Sequence, residues 1–262
     1  MNKLRLHFSH ANGFPAACYR RLFDYLQADF RISAINTLGH DPRYPVTEGW
    51  PHLVDELVDY LEREVGEPVI GIGHSLGGYL SYLAAVRRPE LFRALIMLDS
   101  PIMSPVKGQA FGLMKRVGLA DRLTPARSTL DRRRDFPSVA AARELFRRKK
   151  AFRRFNAACL DDYVTLGTEP TAEGAVRLIF DPAVEYRIYR CIPHDLYRHR
   201  RRLAVPAGFI GGRQSSELRQ IGTEAMRGKF RMTILDGGHL FPFEQPEATA
   251  KALREMARAL LR

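Results

Sequence analysis

The 262-residue sequence predicts an α/β fold, a mostly parallel open sheet of about six strands with helices on both faces. Three observations predict it. Short apolar runs alternate with helical stretches at both ends of the chain, the rhythm of strand–helix–strand units. The segment Gly73-His74-Ser75-Leu76-Gly77 joins one apolar run to one helical stretch. A chain of this length, 45% hydrophobic, can also bury one full core. The same figures exclude a disulfide mini-protein, a fibre and a disordered tail. No apolar run approaches the ~18–20 residues of a membrane helix, so no stable membrane insertion is expected.

Each element has its own signal. Leu4, Leu6 and Phe8 alternate with polar residues, the period of a half-buried strand. His10-Ala11-Asn12-Gly13-Phe14-Pro15 then breaks the pattern as a turn. A helix is expected over 19–27 and a second strand over 30–35, followed by the loop 38–45. Apolar residues at 53, 54, 57, 58 and 61 give the helix over 50–64 one core face. Short apolar runs over 68–72 and 93–98 read as buried strands, and 76–87 between them as a helix rich in small residues. The alternation returns as a strand over 207–210, a helix over 217–226 and a strand over 232–235. Pro246 suits the first turn of a last helix with a stripe of Ala250, Leu253, Met256 and Leu260.

Between Ser100 and Val205 the alternation stops. The expected organisation is therefore a core of residues 1–99 and 206–262 and a helical, Arg-rich insertion over 100–205. Of the net charge of +12, the insertion holds +11, from 22 basic and 11 acidic residues. Arg outnumbers Lys 34 to 7, which a GC-rich genome explains and which Arg forks for phosphate or carboxylate would also explain. The basic stretch Arg147, Arg148, Lys149, Lys150, Arg153 and Arg154 reads as a solvated face, or as the place for an anionic group of a substrate. A nucleic-acid partner is not expected, because no helix-turn-helix, RNP or zinc pattern accompanies the charge. Cys18, Cys159 and Cys191 form no metal or disulfide spacing. With no apolar leader in MNKLRLHFSHANGF, a cytoplasmic protein is expected.

The chemistry concentrates in a few residues. Gly73-His74-Ser75-Leu76-Gly77 is a G-x-S-x-G turn between strand and helix. Such a turn strains the serine backbone, and its flanking positions tolerate no side chain. Ser75 is the candidate nucleophile, with the positive end of the following helix aimed at it. A serine hydroxyl needs a base. His239, in Asp236-Gly237-Gly238-His239, follows the last strand and reaches the same sheet edge. Donors for a developing oxyanion are expected from the backbone N–H of Leu76 and of Phe14, the latter in a stretch that also reads as an ordinary Gly-Pro turn. Asn12 and His74 flank these donors as candidate substrate-binding residues, with packing the plainer role for His74.

These motifs, NGFP, LGHD, GHSLGG, LDSP and GGHLFPFEQPE, resemble the α/β-hydrolase superfamily along nearly the whole chain. The resemblance implies a catalytic triad, an acyl-enzyme intermediate, no metal or organic cofactor, and an insertion acting as a cap over a small-molecule acyl substrate. Aromatics such as Phe111, Phe152, Tyr163 and Tyr189 would glue the cap to the core, and a few would line an acyl pocket. Two departures stand out. About eight residues precede the first turn, so the first strands of the fold are expected to be missing. The family's usual acid position, in Gly211-Gly212-Arg213-Gln214-Ser215-Ser216-Glu217, holds Gln214 and Ser215. Asp99, after the fourth strand, is the expected acid, with Glu217 as the alternative and Asp236 as a third carboxylate nearby. A serine at the elbow argues against the dehalogenases and epoxide hydrolases of the superfamily, which use aspartate. The expected activity is hydrolysis of a carboxylic ester or thioester. Acyl transfer, lactone or C–C hydrolysis, and non-catalytic ligand binding remain alternatives.

Overall fold

The computed structural model describes residues 3–119, 124–171 and 174–262. The chain opens as β1 (Leu4–Ser9), α1 (Arg20–Leu26), β2 (Phe30–Ser33), α2 (Pro51–Tyr60), β3 (Val69–His74), α3 (Leu76–Arg87) and β4 (Phe92–Leu98). An insertion follows, with α4 (Pro105–Arg116), α5 (Ala126–Leu130), β5 (Asp135–Phe136), α6 (Val139–Arg148), α7 (Ala157–Leu166), β6 (Thr168–Pro170), β7 (Val176–Leu178) and α8 (Pro182–Arg190). The core resumes as β8 (Ala207–Gly212), α9 (Ser216–Ile221), β9 (Phe230–Leu235), α10 (Phe241–Glu244) and α11 (Pro246–Leu260).

The core sheet has six strands in the order β2-β1-β3-β4-β8-β9. Every neighbouring pair in it is parallel. Alternate side chains of each strand leave by opposite faces, so the sheet divides two cores. Leu6, Phe8, Ile70, Ile72, Ile96 and Ile210 pack toward α1 and α11. Val69, Leu95, Met97, Ala207 and Phe209 pack toward α2 and α3. Burial on both faces is why β3 and β4 read as continuous apolar runs rather than alternating ones.

The strand order places the site. After β1 the chain crosses to one side to form β2, then returns past β1 to form β3 on the other. Open α/β sheets bind ligands at such a reversal, beyond the carboxyl ends of the strands. Here those ends carry the Asn12-Gly13-Phe14 turn and Ser75. The two are tied directly, Gly77 N–H donating to the His10 carbonyl at 3.1 Å.

The insertion differs from the expected all-helical segment. It also holds a three-stranded antiparallel sheet, β5-β7-β6. Strands of two or three residues are too short to show a period, so no pattern announces them. The insertion sits against the core through polar anchors: Trp50 Nε1–H to the Ile188 carbonyl at 3.1 Å, and the Tyr82 hydroxyl to the Leu196 carbonyl at 3.1 Å. Among the described residues no helix is long and apolar enough to cross a membrane. All three cysteines are free thiols.

Candidate active site

Ser75 lies between β3 and α3 at φ 53° and ψ −114°. This is a conformation that L residues rarely hold unless their surroundings impose it. The glycines make it possible. A Cβ on Gly73 would sit 2.2 Å from the Gly77 carbonyl, and one on Gly77 would sit 2.0 Å from the Ser9 carbonyl. The turn therefore packs backbone on backbone and lifts Ser75 to the sheet edge. Its main chain is held on both sides, by Ser75 N–H to the Leu98 carbonyl and by the Ser100 hydroxyl to the Ser75 carbonyl, each at 3.0 Å.

His239 reaches the same edge from the loop after β9. Its Nδ1 lies 2.7 Å from Asp99 Oδ2 and 3.7 Å from Glu217 Oε2. Asp99 is itself at a strained φ of 43°. Its side chain is fully buried and each oxygen has a donor. Gly212 N–H gives to Oδ1 at 2.8 Å, and the Ser215 hydroxyl gives to Oδ2 at 2.5 Å. Burial disfavours a charged imidazole, but the Asp99 hydrogen bond and the charges of Glu217, Asp99 and Glu244 outweigh it. His239 therefore titrates above the ordinary histidine range. Glu217 ends below the usual carboxylate range: burial works against its charge, and the neighbouring imidazole and serine hydroxyls prevail.

Asp99, Glu217 and His239 also bring one ligand atom each within 4.8 Å of one another, a spacing that a metal ion could use. The Asp99–His239 hydrogen bond occupies the nitrogen such an ion would need.

The structure brings together His239, Asp99 and Glu217, and Ser75 lies at the same sheet edge, the residue before it bonded to the His239 carbonyl. Asp236 is turned away, bonded to Gln214 Nε2. Three other positions differ from expectation. The Phe14 N–H is already committed, closing a turn onto the Ala11 carbonyl at 3.0 Å with Gly13 at φ 80°. It is therefore corrected as an oxyanion donor. The Phe14 ring instead anchors the insertion, with centroids 5.2 Å from both Tyr163 and Phe243.

His74 is fully buried and both its nitrogens face protein groups, so it is corrected from substrate contact to the packing role. Asn12 is buried too. Its Nδ2 donates to the Glu185 carbonyl at 3.0 Å, while its Oδ1 has no partner among the described residues. Above it lies a buried ion pair, Arg132 to Glu185 at 2.6 Å, with Arg132 also bonded to the Tyr163 hydroxyl.

Sequence reasoning missed Ser215 and Tyr19. Ser215 stands where the resemblance led one to expect an acid, and its hydroxyl donates to Asp99. An acid-less loop in an otherwise complete motif set was the signal for it. Tyr19 had no signal, being one more aromatic in a helical stretch.

The basic stretch is mostly solvated. Arg147 and Arg148 are exposed and pair with Glu144, while Arg154 reaches Glu244 at 2.9 Å beside the His239 loop.

The sequence pattern of the alpha/beta hydrolase family matches residues 8–252, and the chain belongs to that family. It is 30% identical over 100 residues to "Karrikin insensitive 2 receptor IA" of Petunia hybrida, a match covering 35% of each chain. It is 29% identical over 101 residues to a "Probable esterase" of Oryza sativa subsp. japonica, covering 35% of this chain and 36% of that one. The chain thus matches about a third of the length of these relatives. Among solved structures it is similar to E-2-(acetamidomethylene)succinate hydrolase, with a TM-score of 0.79 at 21% identity over 98% of this chain and 91% of that one. That likeness is one of fold.

Proposed function

We propose that the chain is a serine hydrolase of a carboxylic ester or thioester with a small to medium acyl group. One observation carries the reading: a buried, doubly held Asp99 lies 2.7 Å from His239 Nδ1, at the sheet edge where a strained elbow presents Ser75. With Nδ1 committed to Asp99, Nε2 is the nitrogen that takes the Ser75 proton. The serine oxygen then attacks the substrate carbonyl. The oxyanion is received by the N–H of Leu76 and by those of the Asn12-Gly13 turn. His239 returns the proton to the leaving group, giving an acyl-enzyme. Water repeats the sequence and releases the acid. Buried Asp99 stabilises the imidazolium in both steps. The insertion serves as the cap that shapes the acyl site.

A second reading is a ligand receptor on the same scaffold, favoured by the partial similarity to the Petunia receptor. Hydrolysis of p-nitrophenyl esters from acetate to palmitate separates the two. The expected result is turnover that falls about 10⁵-fold or more in Ser75→Ala, with wild type alone labelled by a serine-directed phosphonate. Absence of both turnover and labelling, with ligand binding retained by Ser75→Ala, supports the receptor.

A further inference from the structure

His74 precedes the nucleophile and touches two other loops. Its Nε2 lies 2.8 Å from the His239 carbonyl, and its Nδ1 lies 2.7 Å from the Tyr19 hydroxyl. The Tyr19 oxygen is in turn 3.2 Å from the Ala11 N–H. Ala11, Tyr19 and His74 are buried, and His239 is half-buried.

Chemistry then places every proton. A carbonyl oxygen only accepts, so His74 Nε2 carries the hydrogen. Burial and the nearby His239 push His74 well below the ordinary histidine range, so the ring is neutral and Nδ1 is bare. A bare nitrogen requires a donor, and the Tyr19 O–H is the donor at hand. The tyrosine oxygen keeps a lone pair for the Ala11 N–H. The result is one ordered network. Ala11 N–H gives to Tyr19, Tyr19 O–H gives to His74 Nδ1, and His74 Nε2–H gives to the carbonyl of His239.

This network joins the turn after β1, the elbow after β3 and the loop after β9. The last of these needs it most. His239 follows two glycines, and Gly237 sits at φ 143°. The loop has supports before the histidine, Gly237 N–H to Gln214 at 2.5 Å and Gly238 N–H to Glu244 at 3.0 Å. His74 holds the main chain of His239 itself.

We propose that His74 and Tyr19 are positioning residues that set the distance between the His239 imidazole and Ser75, with Tyr19 fixing the tautomer in which His74 can do so. The assignment rests on the hydrolase reading for its kinetic consequence, but its proton arrangement can be read without turnover.

The test uses Tyr19→Phe, His74→Gln and His74→Leu in the full chain. Glutamine presents an N–H near the Nε2 position, whereas leucine presents none. Misplacement of a catalytic group by about 1 Å costs on the order of 100-fold. The expected kcat losses are therefore about 100-fold in His74→Leu, about 10-fold in Tyr19→Phe and under about 3-fold in His74→Gln, with KM unchanged.

Long-range proton–nitrogen NMR of wild type should show neutral His74 protonated on Nε2, and Tyr19→Phe should mix the two tautomers. His74 found protonated on Nδ1 overturns the network. So does a folded Tyr19→Phe with wild-type kcat, or a His74→Gln loss equal to that of His74→Leu. If wild type shows no Ser75-dependent turnover, the hydrolase reading and the kinetic role fall together, and the spectrum alone decides the network.

Discussion

Two loops deliver a carboxylate to the same nitrogen of His239, and they do so in opposite ways. The loop after β4 brings Asp99 to 2.7 Å with its side chain 0% exposed. The loop after β8 brings Glu217 to 3.7 Å with its side chain 40% exposed. Asp99 is pinned by a backbone N–H and a hydroxyl, on a main chain held in a strained turn. Glu217 accepts from the Ser216 hydroxyl at 2.9 Å and stands on the first turn of a short helix. A fixed charge in a dry site orients and stabilises an imidazolium far better than a solvated one. The comparison teaches that burial and fixed donors, rather than the loop of origin, set which carboxylate is held against the imidazole.

Ser215 links the two loops, a buried residue after β8 whose hydroxyl donates to Asp99. Its hydroxyl has one proton, and the shorter bond, 2.5 Å, goes to Asp99 rather than to Glu217 at 3.2 Å.

Three variants test this contrast, and a fourth tests the basic face of the insertion. Asp99→Asn removes the buried charge and favours the wrong imidazole tautomer, so kcat/KM on a p-nitrophenyl ester should fall about 10³–10⁴-fold. Glu217→Gln producing that loss instead would reverse the assignment. Ser215→Ala deprives a buried carboxylate of a donor worth about 1.5–3 kcal/mol, so activity should fall by about 10- to 100-fold. It also removes the cap of α9, and thermal unfolding should show a further loss of about 1 kcal/mol.

Glu217→Gln is expected to change maximal activity by less than about threefold, as partly exposed ion pairs contribute little. Its effect lies in the pH profile. His239 must be neutral to accept the serine proton, so activity rises with pH through its titration. The Glu217 charge helps raise that titration, so the acidic limb of kcat/KM should move to lower pH in the variant. An unmoved limb would mean that solvent screens Glu217 completely. The smallest effect belongs to Arg147→Ser with Arg148→Ser. Both side chains are exposed and paired with Glu144, and KM should stay within about twofold at low and high salt. A salt-dependent rise in KM would instead assign the basic face to an anionic group of the substrate.

Much of the site was legible because its signals are local. The glycines around Ser75 are demanded by backbone contacts within a few residues, so the motif appears as a short string. The same is true of the glycine loop before His239. Asp99 was legible only as one of several carboxylates, because the donors that fix it against His239 come from Gly212 and Ser215, more than one hundred residues away. Phe14 was misread because a turn spends its N–H on Ala11, and a string of letters does not show which amide a turn leaves free. Tyr19 was invisible for the same reason as the small sheet of the insertion: neither has a period or a neighbour in sequence that reports its partner.

By itself, then, the sequence determined the strand–helix alternation, the strained turn at Ser75 and the histidine loop, since each follows from hydrophobic period or from glycines at fixed spacing. Tertiary structure decided which carboxylate is buried against His239, that the Phe14 amide closes a turn, and that His74 meets both Tyr19 and the His239 carbonyl. Those choices depend on solvent exclusion and on hydrogen-bond partners distant in the chain, and both exist only once the sheet has brought its loops to one edge.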